Sequence, residues 1–96
     1  MKMHVVDYNF TNSTSITETV DQDIKLLYIR CSETGIKAEI SINGKKFSNR
    51  PFLLDLIEIP NNQVVMADIP KGSTLTLNLY APDTNQHTGQ IVFMGV

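Results

Sequence analysis

"IKAEISINGKKF", residues 36–47, decides the fold class. Ile36, Ala38, Ile40 and Ile42 fall on one face of an extended chain, and Lys37, Glu39, Ser41 and Asn43 fall on the other. Strict period two with apolar residues on one side predicts a strand with one buried face. Asn43-Gly44 follows at once, and a two-residue type I′ turn needs positive φ at both central positions, which this pair adopts readily. The chain is therefore expected to reverse and return through Lys45-Lys46-Phe47 as a short partner strand, its lysines guarding an edge.

The same pattern recurs downstream. In "TLTLNLYA", residues 74–81, Leu75, Leu77, Leu79 and Ala81 alternate with Thr74, Thr76, Asn78 and Tyr80. The preceding "IPKG" fits a type I turn, with Pro70 second and Gly72 fourth. "IKLLYIRC" (24–31) and "QIVFMGV" (90–96) are apolar on both faces and read as central strands. "HVVDYNF" (4–10), "SITETV" (15–20) and "QVVMADI" (63–69) read as further strands. "FLLDLIEI" (52–59) lies between two prolines, too short a span for a good helix, and is read as strand. "EIPNNQVV" and "DIPKGSTL" repeat an acidic-Ile-Pro turn opening ten residues apart, a spacing suited to antiparallel strands and turns.

The expectation is one all-β domain over residues 1–96, an antiparallel β-sandwich of seven to nine short strands. Jelly-roll and immunoglobulin-like strand orders both fit. The length suits one modest core. "IPKGSTLTLNLY" resembles strands of small virion and bacterial-surface β-sandwiches; the likeness covers one turn and one strand and assigns no residue a role.

Composition narrows function. The net charge of −2 and the scattered eight Lys and Arg residues argue against phosphate-driven nucleic-acid binding. The first ten residues lack the apolar core of a secretory signal, and no apolar run is long enough to span a membrane. Synthesis in the cytoplasm, without membrane insertion, is expected. The single cysteine, Cys31, ends an apolar strand and reads as a buried structural thiol.

The loop "APDTNQHTG", residues 81–89, is the best candidate site. Asp83, Asn85 and His87 alternate in it as in the start of a calcium loop. The match fails, because Thr88 holds the position of the obligatory glycine and Met94 that of the final bidentate Glu. His4 and His87, the two histidines, lack the close spacing of a metal motif. Asp55 and Glu58 interrupt an apolar run and are read as facing solvent or a partner. No phosphate loop or nucleophile elbow occurs, so no enzyme, metal or cofactor is expected.

The expected function is a structural or assembly protein, a small virion accessory or decoration component of a phage capsid or tail. It would contact copies of itself or other particle proteins through Met3, Val5, Tyr8, Phe10, Tyr80, Asp83, Asn85 and His87. In this reading residues 1–10 form the contact and are dispensable for the core. The alternative is a module that binds carbohydrate or a host protein, with Tyr8 and Tyr80 on outer faces beside the 82–89 loop.

Overall fold

Chain reversals at Asn43-Gly44 and at Pro70–Ser73, and a change of sheet at Asn12, give a computed structural model in which every strand pair of the described residues is antiparallel. It describes residues 1–46, 48–54 and 67–96. Nine strands occur among them: β1 (Lys2–Thr11), β2 (Ser13–Thr19), β3 (Ile24–Cys31), β4 (Lys37–Ile42), β5 (Lys45–Lys46), β6 (Phe52–Leu53), β7 (Ala67–Ile69), β8 (Thr74–Tyr80) and β9 (Gln86–Gly95). One sheet has the order β1-β9-β3-β7. The other has β2-β8-β4-β5, with β6 also paired to β4. The pairs are nested: β1 with β9, β2 with β8, β3 with β7, β4 with β6. One long antiparallel hairpin, folded over on itself, has this connectivity. The expectation of an all-β, sandwich-like domain is met.

The alternating stretches behave as their pattern requires. Leu75, Leu77 and Leu79 of β8 are fully buried, as are Ile36 and Ala38, and Ile40 is nearly so. Ile42 and Ala81, at the ends of the stripes, are only half-buried but pack on the core. Each fully buried Leu or Ile contributes about 1.5–3 kcal/mol of transfer free energy. From the first sheet, β1 supplies Val6, Tyr8 and Phe10, β3 supplies Ile24, Leu26 and Ile29, and β9 supplies Ile91 and Phe93. Tyr8 and Phe10 meet edge to face, with ring centroids 5.7 Å apart.

β3 and β9 lie in the interior of their sheet, as expected of strands apolar on both faces. In β3 the appearance has a local cause. Its register against β9 shifts between Leu26 and Tyr28. The extra residue switches the inward parity, from Ile24 and Leu26 before the shift to Ile29 after it.

The Asn43-Gly44 hairpin forms as read, with φ of 52° and 82° and Ile42 opposite Lys45. The proline turn is displaced by one residue. The Ser73 N–H bonds to the Pro70 carbonyl (3.0 Å), so Gly72 stands third rather than fourth, with φ of 87°. A glycine with positive φ at the third position belongs to a type II turn. Asn12, with φ of 65°, passes the chain from one sheet to the other, and its carbonyl accepts the Ala81 N–H (2.8 Å).

Phe47, most of "FLLDLIEI" with Asp55 and Glu58, the echo at 58–65 and the start of "QVVMADI" lie outside the described residues. Phe52–Leu53 and Ala67–Ile69 are strands, as expected of those parts.

The proposed dispensability of residues 1–10 is corrected. β1 carries three core side chains and pairs with β9 along its whole length.

Candidate functional site

The predicted 81–89 loop is shorter than its sequence suggests. Residues 81–85 connect the strands, and β9 begins at Gln86. The reason is the neighbouring strand: Phe10 and Thr11 of β1 pair with His87 and Gln86, so the ladder continues through polar residues that look like loop. Asp83 stays in the connection, where its Oδ1 accepts the Asn85 N–H (3.0 Å). His87 points inward from β9 and is 8% exposed.

The buried imidazole is held on both sides. Its Nδ1 lies 2.9 Å from Glu33 Oε2 and its Nε2 2.7 Å from Asp83 Oδ1. The other Glu33 oxygen accepts the Tyr8 hydroxyl (2.7 Å). Ser32 joins the cluster, with its Oγ accepting the Gln90 N–H (2.9 Å). Four segments therefore converge at one end of the sandwich: β1, the connection after β3, the connection before β9 and β9 itself. The Phe10 ring lies against the imidazole, 6.0 Å between centroids.

Charge follows from this geometry. The Glu33 carboxylate first, and Asp83 second, hold His87 protonated to a higher pH than an ordinary histidine, while burial opposes them. The Tyr8 hydroxyl and then the His87 ring hold Glu33 below its usual value. His87 and the Asn85 N–H do the same for Asp83. Burial pushes the Tyr8 hydroxyl well above its ordinary value. With both ring nitrogens donating to carboxylates, the imidazolium has no lone pair to offer a nucleophile or a metal. The arrangement ties segments together. Cys31 approaches the Tyr8 hydroxyl at 3.6 Å and is half-buried. Among the described residues no group of three or more His, Cys, Asp or Glu is arranged to hold a metal ion.

The eight candidate residues separate into three places. Met3 and Val5 project from the outer face of the first sheet, 54% and 41% exposed. Tyr80 lies on the outer face of the second sheet, its hydroxyl donating to Glu39 (2.8 Å), which raises the pH at which it ionises. Tyr8, Phe10 and His87 belong to the buried end, below the exposed Asp83 and Asn85. The outer-face placement of Tyr8 is thus corrected, and Phe10 is buried with it. On β1 the even residues Val6, Tyr8 and Phe10 turn inward against the odd Asp7, Asn9 and Thr11.

Glu33 was missed. It stands in an unremarkable turn, and nothing local shows that it meets residues 25 and 54 positions away. A second histidine contact was missed for the same reason: His4 on β1 bonds Glu18 on β2 (2.8 Å), joining the two sheets at one edge.

The outer face of the first sheet divides along its register. Met3 opposes Met94 and Val5 opposes Val92 at one end. At the other end, Asp7 bonds Gln90 (2.9 Å), and Asn9 bonds Gln86 (2.6 Å) and Thr88 (3.3 Å). Near the apolar half an open cleft of about 530 Å³ is bordered by Lys2, Asp23, Ile24, Lys25, Asp68 and Ile69. Comparison with protein-family models, with curated proteins and with solved structures finds no match for this chain.

Proposed function

We propose that this chain is a non-enzymatic assembly protein, a small virion accessory or decoration component that works through protein–protein contacts. The strand orders β1-β9-β3-β7 and β2-β8-β4-β5, with their nested pairing, support a jelly roll over an immunoglobulin-like sandwich. Jelly rolls serve in viral capsids and in lectins, so the fold leaves a choice. The observation that carries the assembly reading is the apolar half of the first sheet's outer face. There Met3 and Val5 are exposed beside half-buried Val92 and Met94. A contiguous apolar patch on an otherwise polar sheet face suits a protein contact.

The test is solution mass by light scattering on a sizing column, across a range of concentrations. The wild type is expected at a multiple of 10.8 kDa. The double variant Met3→Glu, Val5→Glu should return to the single-chain mass with its fold intact, since neither side chain enters the core. A wild type that stays at single-chain mass throughout, or an oligomer indifferent to the double variant, overturns this placement of the contact.

One observation favours a carbohydrate-binding reading as the second choice. Tyr80 stands on a hydroxyl- and amide-rich face, opposite Ser13 and Lys37 and next to the Ser15, Asn78 and Glu39 row. An aromatic ring among hydrogen-bonding groups suits a sugar. Amide shifts confined to that row on adding soluble glycans would support it.

A further inference from the structure

We infer that His87 is a pH-sensitive clasp joining the 32–36 and 81–85 connections, and that Asp83 is the arm it releases as the medium turns alkaline. The inference stands on the cluster and does not depend on the assembly reading.

The fixed part is the histidine. Its backbone is in the ladder opposite Phe10, and its ring lies against the Phe10 ring. The two arms are on connections: Glu33 follows β3, and Asp83 precedes β9. The arms touch the same imidazole from its two nitrogens, at 2.9 and 2.7 Å. Both contacts are hydrogen bonds only when the ring carries two N–H groups. A neutral imidazole has one donor and one lone pair. One carboxylate must then face a lone pair at hydrogen-bond distance, which is repulsive.

The structure indicates which arm lets go. Glu33 also accepts the Tyr8 hydroxyl, and its side chain is 32% exposed. Asp83 is 47% exposed and among the described residues is otherwise bonded only within its own connection, to the Asn85 N–H. Water replaces a ring donor more readily at Asp83, so the remaining proton stays on Nδ1, toward Glu33. The two connections also meet directly beside the clasp. Gly35 packs against Pro82 with no side chain between them, since a Cβ there would lie 3.3 Å from the proline ring.

The other titratable groups facing the cluster do not compete. Tyr8, from β1, is held neutral through this range by burial, and Cys31, from β3, contacts the Tyr8 hydroxyl rather than the imidazole. The direction in pH follows from the shifts. His87 is raised above 6.5, so its stabilising contribution is complete below 6.5 and is lost as pH rises through the raised value. Glu33 and Asp83 are lowered below 4.5 and 3.8, so theirs is complete above those values and is lost on acidification through the lowered ones. The clasp is fully closed in mildly acidic solution.

The experiment follows His87 ring resonances and amide hydrogen exchange across pH on the full chain. His87 is expected to titrate above 6.5, held up by the Glu33 carboxylate first and Asp83 second. After correction for intrinsic base catalysis, protection of the Asn85 amide should fall across the same midpoint, as Asp83, which accepts its N–H, is released. Asp83→Asn should move the midpoint toward 6.5 and remove the pH dependence at Asn85, at an exposed site that leaves the core untouched. The inference is overturned by a His87 midpoint at or below 6.5, by Asn85 protection that ignores it, or by a midpoint that Asp83→Asn leaves in place.

Discussion

Gly89 sits opposite Tyr8 in the β1–β9 ladder, and the missing side chain is what lets the phenol reach over β9 toward Ser32 and Glu33. A Cβ at this position would overlap Ser32 Oγ and the Tyr8 hydroxyl. Both obstacles are the ends of side chains and can shift. At Gly95 the obstacle is the Lys25 backbone carbonyl, which pairs with the Val96 N–H and cannot. Gly95→Ala should therefore cost about 3 kcal/mol and Gly89→Ala about 1–2 kcal/mol, within the usual range for overpacking. Urea unfolding measures both; equal losses would mean that the backbone at Gly95 yields. From sequence alone Gly89 looked like a turn former beside polar neighbours. Its strand role depends on Tyr8, far away in the chain, just as the role of Glu33 depends on His87. By contrast the inward set of β1 was written locally, in the alternation of Val6, Tyr8 and Phe10 with Asp7, Asn9 and Thr11, although Tyr8 and Phe10 were read as contact residues.

Asn43 does more for its hairpin than tolerate positive φ. Its backbone N–H bonds to the Thr74 carbonyl (2.8 Å), its Oδ1 accepts the Thr74 N–H (2.8 Å), and its Nδ2 reaches Ser73 Oγ (3.3 Å). The turn that ends β4 is thereby fastened to the start of β8. Asn43→Ala should cost about 2 kcal/mol, from two lost side-chain bonds and a left-handed residue with a poorer fit. Asn43→Gly should recover the conformational part alone. A chemical denaturation series of the three proteins separates the two effects; an alanine variant no weaker than glycine would remove φ from the explanation. The hairpin was legible because Asn-Gly is a local signal read by two adjacent φ angles. The proline turn was legible only as a turn, since Pro70 and Gly72 permit two registers and the Ser73 N–H selects one. The β3 irregularity was hidden, because consecutive apolar residues at Leu26 and Leu27 look the same in a bulge and in a strand buried on both faces.

Strand content was therefore written in the sequence and strand partnership was not. Period two states that a face is buried, not against which neighbour. The nested order pairs the first strand with the last, and a loop of nearly the whole chain must close before that ladder gains anything. Such non-local topology places folding in the millisecond-to-second range. It also makes β1 indispensable. Val6, Tyr8 and Phe10 each contribute about 1.5–3 kcal/mol through burial. Their sum approaches the whole stability of a small domain, about 5–15 kcal/mol. Deleting Met1–Phe10 also strips β9 of one partner from His87 to Gly95 and removes the hydroxyl that orients Glu33. The truncated chain should lose its cooperative thermal transition in circular dichroism, whereas Met3→Glu, Val5→Glu keeps one, because both side chains leave the sheet on its outer face. A truncated chain that still melts cooperatively would show that the other strands close the sandwich without β1.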